Sequence, residues 1–193
     1  MAVGHPDTPV RELLEAIAGP ASQPGPDLPA IGEALVALAA DSAYLARWIG
    51  ELGETSGSVR LHAPERGPRL MLVHRLEGQM GAVHDHRVWV ALATVTGLET
   101  HRRYRRPGAP DEVPTLAEET RVAPREAVTL LPPEDIHDHG HVLGHGDPAY
   151  CLILTGDDQR RYERTEWDLV TGRSRILRPG DGGRWVSTEP LPD

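Results

Sequence analysis

At 193 residues, with 39% hydrophobic and 25% charged residues, the chain fits one globular domain with a core of its own. A formal charge of −9 argues against a nucleic-acid or anionic-membrane partner, and no apolar run approaches the length of a membrane span. Cys151 is the only cysteine, so no disulfide forms within the chain, and no signal-peptide-like apolar region opens it; a cytoplasmic location is expected.

Residues 1–7 are polar and expected to fray. Thr8-Pro9 ahead of Val10, Leu13, Leu14 and Ile17 gives an N-cap, a proline at the first helical position and a one-sided apolar stripe, which predicts a short helix. The Pro- and Gly-rich stretch 19–29 reads as a linker. Leu35, Leu38, Ala39, Tyr44, Leu45 and Trp48 recur at helical spacing and predict a second helix over about 31–49, ended by Gly50, Gly53 and Gly57. Beyond residue 57 short apolar runs alternate with turn residues, predicting strands at 69–74, 88–96, 127–131, 149–155, 162–170, 173–177 and 185–187. Residues 170–173 (Val-Thr-Gly-Arg) suit a tight hairpin turn, and the Pro- and Glu-rich stretch 107–123 suits a surface loop or lid. The expected architecture is mainly β: a helical cap over residues 1–57 on a β-sandwich or barrel formed by 58–193, one structural domain in all.

Two histidine clusters carry the chemistry. Residues i and i+2 of a strand share a face, so His84 and His86 would present adjacent imidazoles to one point. A third imidazole from another strand would complete a facial metal triad, and His137, in Asp135-Ile136-His137, is the best candidate. Val90 and Ala91, which follow the pair, are apolar, so no carboxylate ligand is expected from this strand. Three neutral ligands would leave Fe(II) its full charge and favour an anionic chelating substrate such as a thiolate, with space for O₂. His137, His139 and His141 would share a face if extended and could themselves make a zinc or nickel site. Gly140, Gly144 and Gly146 favour instead a solvated turn for His139, His141 and His145.

Val83-His84-Asp85-His86-Arg87-Val88-Trp89 resembles the motif of bacterial cysteine dioxygenase-type thiol dioxygenases, which are cupins. In the same order, Gly97-Leu98-Glu99 is similar to the turn after their motif strand, Glu134-Asp135-Ile136-His137 to the segment carrying their third iron ligand, and residues 162–172 to their C-terminal hairpin. Two N-terminal helices also fit, so the resemblance spans roughly residues 8–178. It implies a double-stranded β-helix (jelly-roll) barrel in which His84, His86 and His137 hold Fe(II). The reaction implied adds O₂ to a small thiol, cysteine or a related thiol acid, to give a sulfinic acid. An arginine would grip the substrate carboxylate through its planar fork, and Arg60 or Arg164 lies where family members carry one. The chain departs from the family in its Ser-His-Tyr relay, whose histidine and tyrosine fall at Ile153 and Thr155; Tyr150 or Tyr104 is the candidate replacement. The crosslinking cysteine of animal members falls at Ala91, and Cys151 reads as a buried strand residue. Two alternatives follow from the altered relay: a cupin oxygenase of sulfur-containing natural-product biosynthesis, or a non-catalytic cupin that binds a metal or small ligand.

Overall fold

The computed structural model describes residues 7–18, 25–109, 112–145, 148–179 and the backbone of 185–187. The expected fraying at 1–6 and most of the expected linker, 19–24, lie outside them. Three helices come first: α1 (Thr8–Ile17), α2 (Leu28–Ala39) and α3 (Ser42–Leu52). The strands that follow are β1 (Gly57–His62), β2 (Arg69–Arg75), β3 (Val83–His84), β4 (Val90–Thr96), β5 (Glu99–Arg105) and β6 (Thr115–Val122). After these come β7 (Ala127–Leu130), β8 (His137–His141), β9 (Ala149–Thr155), β10 (Arg164–Asp168), β11 (Arg173–Pro179) and β12 (Trp185–Ser187). They form two antiparallel sheets, one of five strands in the order β1-β2-β9-β4-β7 and one of seven in the order β12-β11-β10-β3-β8-β5-β6.

The first sheet has two apolar faces because helices cover one of them. Leu70, Leu72, Ala91, Ala93, Leu152 and Leu154 join Val10, Ile31, Leu35 and Leu45 in one core against the helices. Their strand neighbours Val73, Val90, Leu92, Cys151 and Ile153 form a second cluster on the opposite, inner face. Strands buried on both faces read as continuous apolar runs, which is why the sequence exposes β2, β4 and β9 so plainly.

The single helix expected over 31–49 is two. The Asp41 carboxylate accepts the Tyr44 N–H at 2.9 Å, capping α3, and the helices meet at a bend of 76°. Residues from both enter the same core, so the apolar spacing runs through the break. No single described helix is long and apolar enough to cross a membrane; α2 and α3 taken together pass by length and composition only.

The stretch 107–123, expected as a loop, contains β6, an edge strand paired with β5 and exposed along most of its length. Exposure of both faces removes the two-residue apolar period that would have announced it. The hairpin turn expected at 170–173 joins β10 to β11.

Candidate metal centre

The second sheet turns a polar face inward. β3 lies between β10 and β8, with His84 directly opposite Glu166 on one side and His137 on the other. Next along, His139 faces His101 and His141 faces Glu99 across β8 and β5. The segment expected as a solvated turn is therefore a buried central strand, with His137, His139 and His141 all at 2% exposure or less. Gly140 is there for close approach: a Cβ would lie 2.2 Å from the Gln79 carbonyl oxygen and 2.7 Å from Met80 Cα. His145 alone of the four is exposed.

His84, His86 and His137 converge through their Nε2 atoms, with His86 2.9 Å from His84 and 2.7 Å from His137. His84 Nδ1 lies 2.8 Å from the Ala82 carbonyl oxygen, to which it can only donate, so His84 Nε2 carries a lone pair. His137 Nδ1 lies 2.8 Å from His101 Nε2. No placement of protons on neutral rings turns both Nε2 contacts into ordinary hydrogen bonds: an unprotonated His86 Nε2 sets its lone pair against that of His84, and a protonated one has a single N–H for two neighbours. A divalent cation at the convergence point resolves this, and three neutral imidazoles suit a transition metal. Burial above all, with Arg164 nearby, pushes the His84 imidazole down to about 3. Burial and then mutual repulsion hold His86 and His137 well below the usual histidine range. The rings are thus neutral at physiological pH, the form that binds metal.

The two aspartates of the motifs are braces, not ligands. Asp135 Oδ2 accepts the backbone N–H groups of His86 (2.9 Å) and Arg87 (2.7 Å). Asp85 Oδ1 accepts the Thr165 N–H at 2.8 Å. Arg106 joins them, at 3.0 Å from Asp85 and 2.8 Å from Asp135. Both carboxylates are fully buried, so this bracket fixes the loop after β3 to the loop before β8.

The triad opens onto a cavity of about 430 Å³ whose wall includes Arg60 and Arg164, together with Arg69, Arg75 and Arg160. Asp158 is the one acidic residue of its lining among the described residues, and it lies 2.9 Å from both Arg69 and Arg160. Arg60 is exposed, whereas Arg164 is largely buried and lies 2.6 Å from Glu166. Met71, Val73, Leu92 and Ile153 supply the apolar wall, and Thr155 lines it with Oγ1 hydrogen-bonded to the Asp157 carbonyl at 3.0 Å.

Neither tyrosine considered as a relay replacement reaches this wall. Tyr150 donates to the Gly53 carbonyl at 3.2 Å in the core beneath the helices, and Tyr104 donates to Asp138 at 3.2 Å among outer-face residues. The alternative triad of His137, His139 and His141 does not form, since the groups of ligand atoms that converge among the described residues are His84-His86-His137 and Glu99-His139-Cys151. In the second group Arg75 Nη2 sits 3.3 Å from His139 Nε2, and His139 Nδ1 sits 3.3 Å from Glu99 Oε2. A guanidinium only donates, so His139 Nδ1 carries the proton and donates to Glu99, which removes it as a metal donor. Cys151 is buried, and burial raises its thiol well above the ordinary range.

Sequence reasoning missed His101, Arg106 and the Arg75-His139-Glu99 chain. Glu99, His101 and Arg103 alternate inward along β5, but an inward face of polar residues carries no apolar signal.

Two facing antiparallel sheets, with clustered histidines on the inner face of one and helices on the outer face of the other, make a cupin-type double-stranded β-helix. This is the fold class expected from sequence. No family model matches the sequence, and no curated protein matches it. Among solved structures it is similar to a cupin-superfamily protein from Desulfitobacterium hafniense, at 11% identity and a TM-score of 0.41, over 53% of this chain and 78% of that one. It is similar to an RmlC-like cupin from Methanocaldococcus jannaschii, at 12% identity and a TM-score of 0.42, over 56% and 86% of the two chains. It is also similar to an oxalate oxidase in complex with the substrate analogue glycolate, at 14% identity and a TM-score of 0.41, over 53% and 51%.

Proposed function

We propose that the protein is an Fe(II)-dependent oxidoreductase of cysteine dioxygenase type, converting a small anionic thiol and O₂ to a sulfinic acid. The observation that carries this reading is a cluster of three neutral imidazoles, with no carboxylate in it, on the wall of an arginine-lined cavity. A neutral ligand set leaves the cation's charge to be balanced by the substrate, which a thiolate does and a neutral ligand does not. Bound divalent iron would supply the redox-active centre for O₂. Both oxygen atoms enter the product: sulfur loses four electrons and O₂ gains them, so no further reductant is required.

The chain's own residues bind and orient. Arg164, braced by Glu166, presents a fixed guanidinium beside His84, and exposed Arg60 stands on the cavity rim; either suits a substrate carboxylate. Met71, Val73, Leu92 and Ile153 exclude water from the thiol's carbon chain. The volume falls in the range of small-molecule sites, ~300–1,000 Å³, which suits thiols larger than cysteine as well.

The test is oxygen uptake by anaerobically Fe(II)-loaded protein given cysteine, 3-mercaptopropionate, cysteamine and larger thiol acids, with a product gain of two oxygen atoms read by mass spectrometry. His84→Ala and His86→Ala should lose both metal and uptake. A full iron site with no uptake on any thiol would overturn the reading. It would favour a second one, a ligand-binding cupin without turnover, which draws support from the apolar Ile153 and the committed Thr155 hydroxyl facing the cavity.

A further inference from the structure

Arg69 and Arg160 share Asp158, and Arg164 shares Glu166 with Arg175. Two of the cavity arginines, exposed Arg60 and partly buried Arg75, make no ion pair with a described residue. Of these two, Arg75 is the braced one: its Nη2 is held by His139 at 3.3 Å, and its Nε, like that of Arg69, is buried without a hydrogen-bond partner. The brace behind it is built: His139 stands on Glu99 at 3.3 Å, and both are buried. Space is reserved for it as well, since a Cβ on Gly81 would come 3.3 Å from Arg75 Nη2. A guanidinium braced at a cavity wall, with a desolvated Nε–H unused, is set for an anion from the cavity.

Its position gives that anion a place. β3 carries His84 between β10, which carries Arg164, and β8, which carries His139 under Arg75. The two guanidiniums therefore line the histidine-bearing cavity on different sides of β3. Met71 and Val73 precede Arg75 on the inward face of β2 and line the same wall.

We propose that Arg75 is a second anion subsite and that the substrate is a dianionic thiol, one acidic group on the Arg60/Arg164 side and another on Arg75, with sulfur between them at the triad. This rests on the thiol-oxidation reading, and the experiment separates the two. Calorimetric titrations of anaerobic Fe(II)-loaded protein compare mercaptosuccinate with 3-mercaptopropionate, and succinate with propionate. Wild type should bind each dianion at least tenfold more tightly than its monoanionic counterpart. In Arg75→Gln, checked for a native circular-dichroism spectrum, that ratio should fall below threefold; Gly81→Leu, which crowds the guanidinium, should lower it without altering a charge. Equal affinities of wild type for dianion and monoanion overturn the subsite, whatever the variants do. A dianion preference that survives in a folded Arg75→Gln also overturns it. Arg75-dependent succinate binding without thiol binding upholds the subsite and counts against the thiol reading.

Discussion

Replacing Asp135 by alanine should loosen the candidate metal centre without touching a candidate ligand. The side chain is fully buried; its Oδ2 accepts two backbone N–H groups, from His86 and Arg87, and its Oδ1 pairs with Arg106 at 2.8 Å. Alanine leaves the His86 amide buried without an acceptor and the Arg87 amide partly so, at about 1–3 kcal/mol each. Arg106 keeps Asp85 at 3.0 Å, so its own loss is partial. The sum, about 2–6 kcal/mol, brackets the range for breaking a buried ion pair. For a domain of this size ~2–4 °C per kcal/mol then predicts a fall in Tm of about 4–24 °C. Because the lost bonds fix His86 relative to His137, metal affinity should drop by about 10–100-fold, as for other residues that orient ligands from behind. Asp135→Asn retains one oxygen and should lose less on both counts. Thermal melts of the metal-free protein and competition titration with a chromophoric chelator read the two effects separately. A variant that melts within about 2 °C of wild type and keeps its metal affinity would refute the bracket.

His101→Ala removes the partner that orients His137 through Nδ1, and chelator competition should register about 10–100-fold weaker binding with full occupancy at saturating metal. The metal-free protein should be acid-labile. His101 is 3% exposed and burial pushes its imidazole down to about 3, against 6.5 unfolded, so the unfolded ring takes up a proton that the folded one refuses. The stability it contributes is present in full above pH 6.5 and falls by ~1.4 kcal/mol per pH unit below it, which melts from pH 7.5 to 5 should show as a declining Tm. Gly140→Ala drives a Cβ to within 2.2 Å of the Gln79 carbonyl oxygen, between backbones with no flexible end to yield. Soluble yield and Tm should both collapse; a normally folded variant would mean that β8 and the Gln79–Met80 segment can separate freely.

The hydrophobic core was legible because its strands carry their own signal. β2, β4 and β9 are apolar runs, and burial on both faces makes that pattern nearly unbroken. β5, β6 and β8 were not, since their residues are His, Glu, Arg and Thr, whose polarity imitates a loop. Glycine misled in the same way at Gly140, where it serves a close approach within a strand and not a turn. Asp41 caps α3, but an apolar stripe shared by two helices hid the break.

Local sequence alone determined what depends on neighbours along the chain: the helices, the apolar strands, and the adjacency of His84 and His86, which a two-residue spacing brings to one place. Tertiary structure decided what depends on residues far apart. The pairing of His84 with His137 follows from β3 lying beside β8, and the choice of His137 over His139 and His141 follows from what each ring meets across the sheet. The same packing made braces of Asp85 and Asp135 and set Arg75 against the cavity. The physical reason is that a polar side chain's role is set by its partner, through hydrogen bonds and charge at about 3 Å. Sequence fixes which side chains are polar, and only folding brings their partners within that distance.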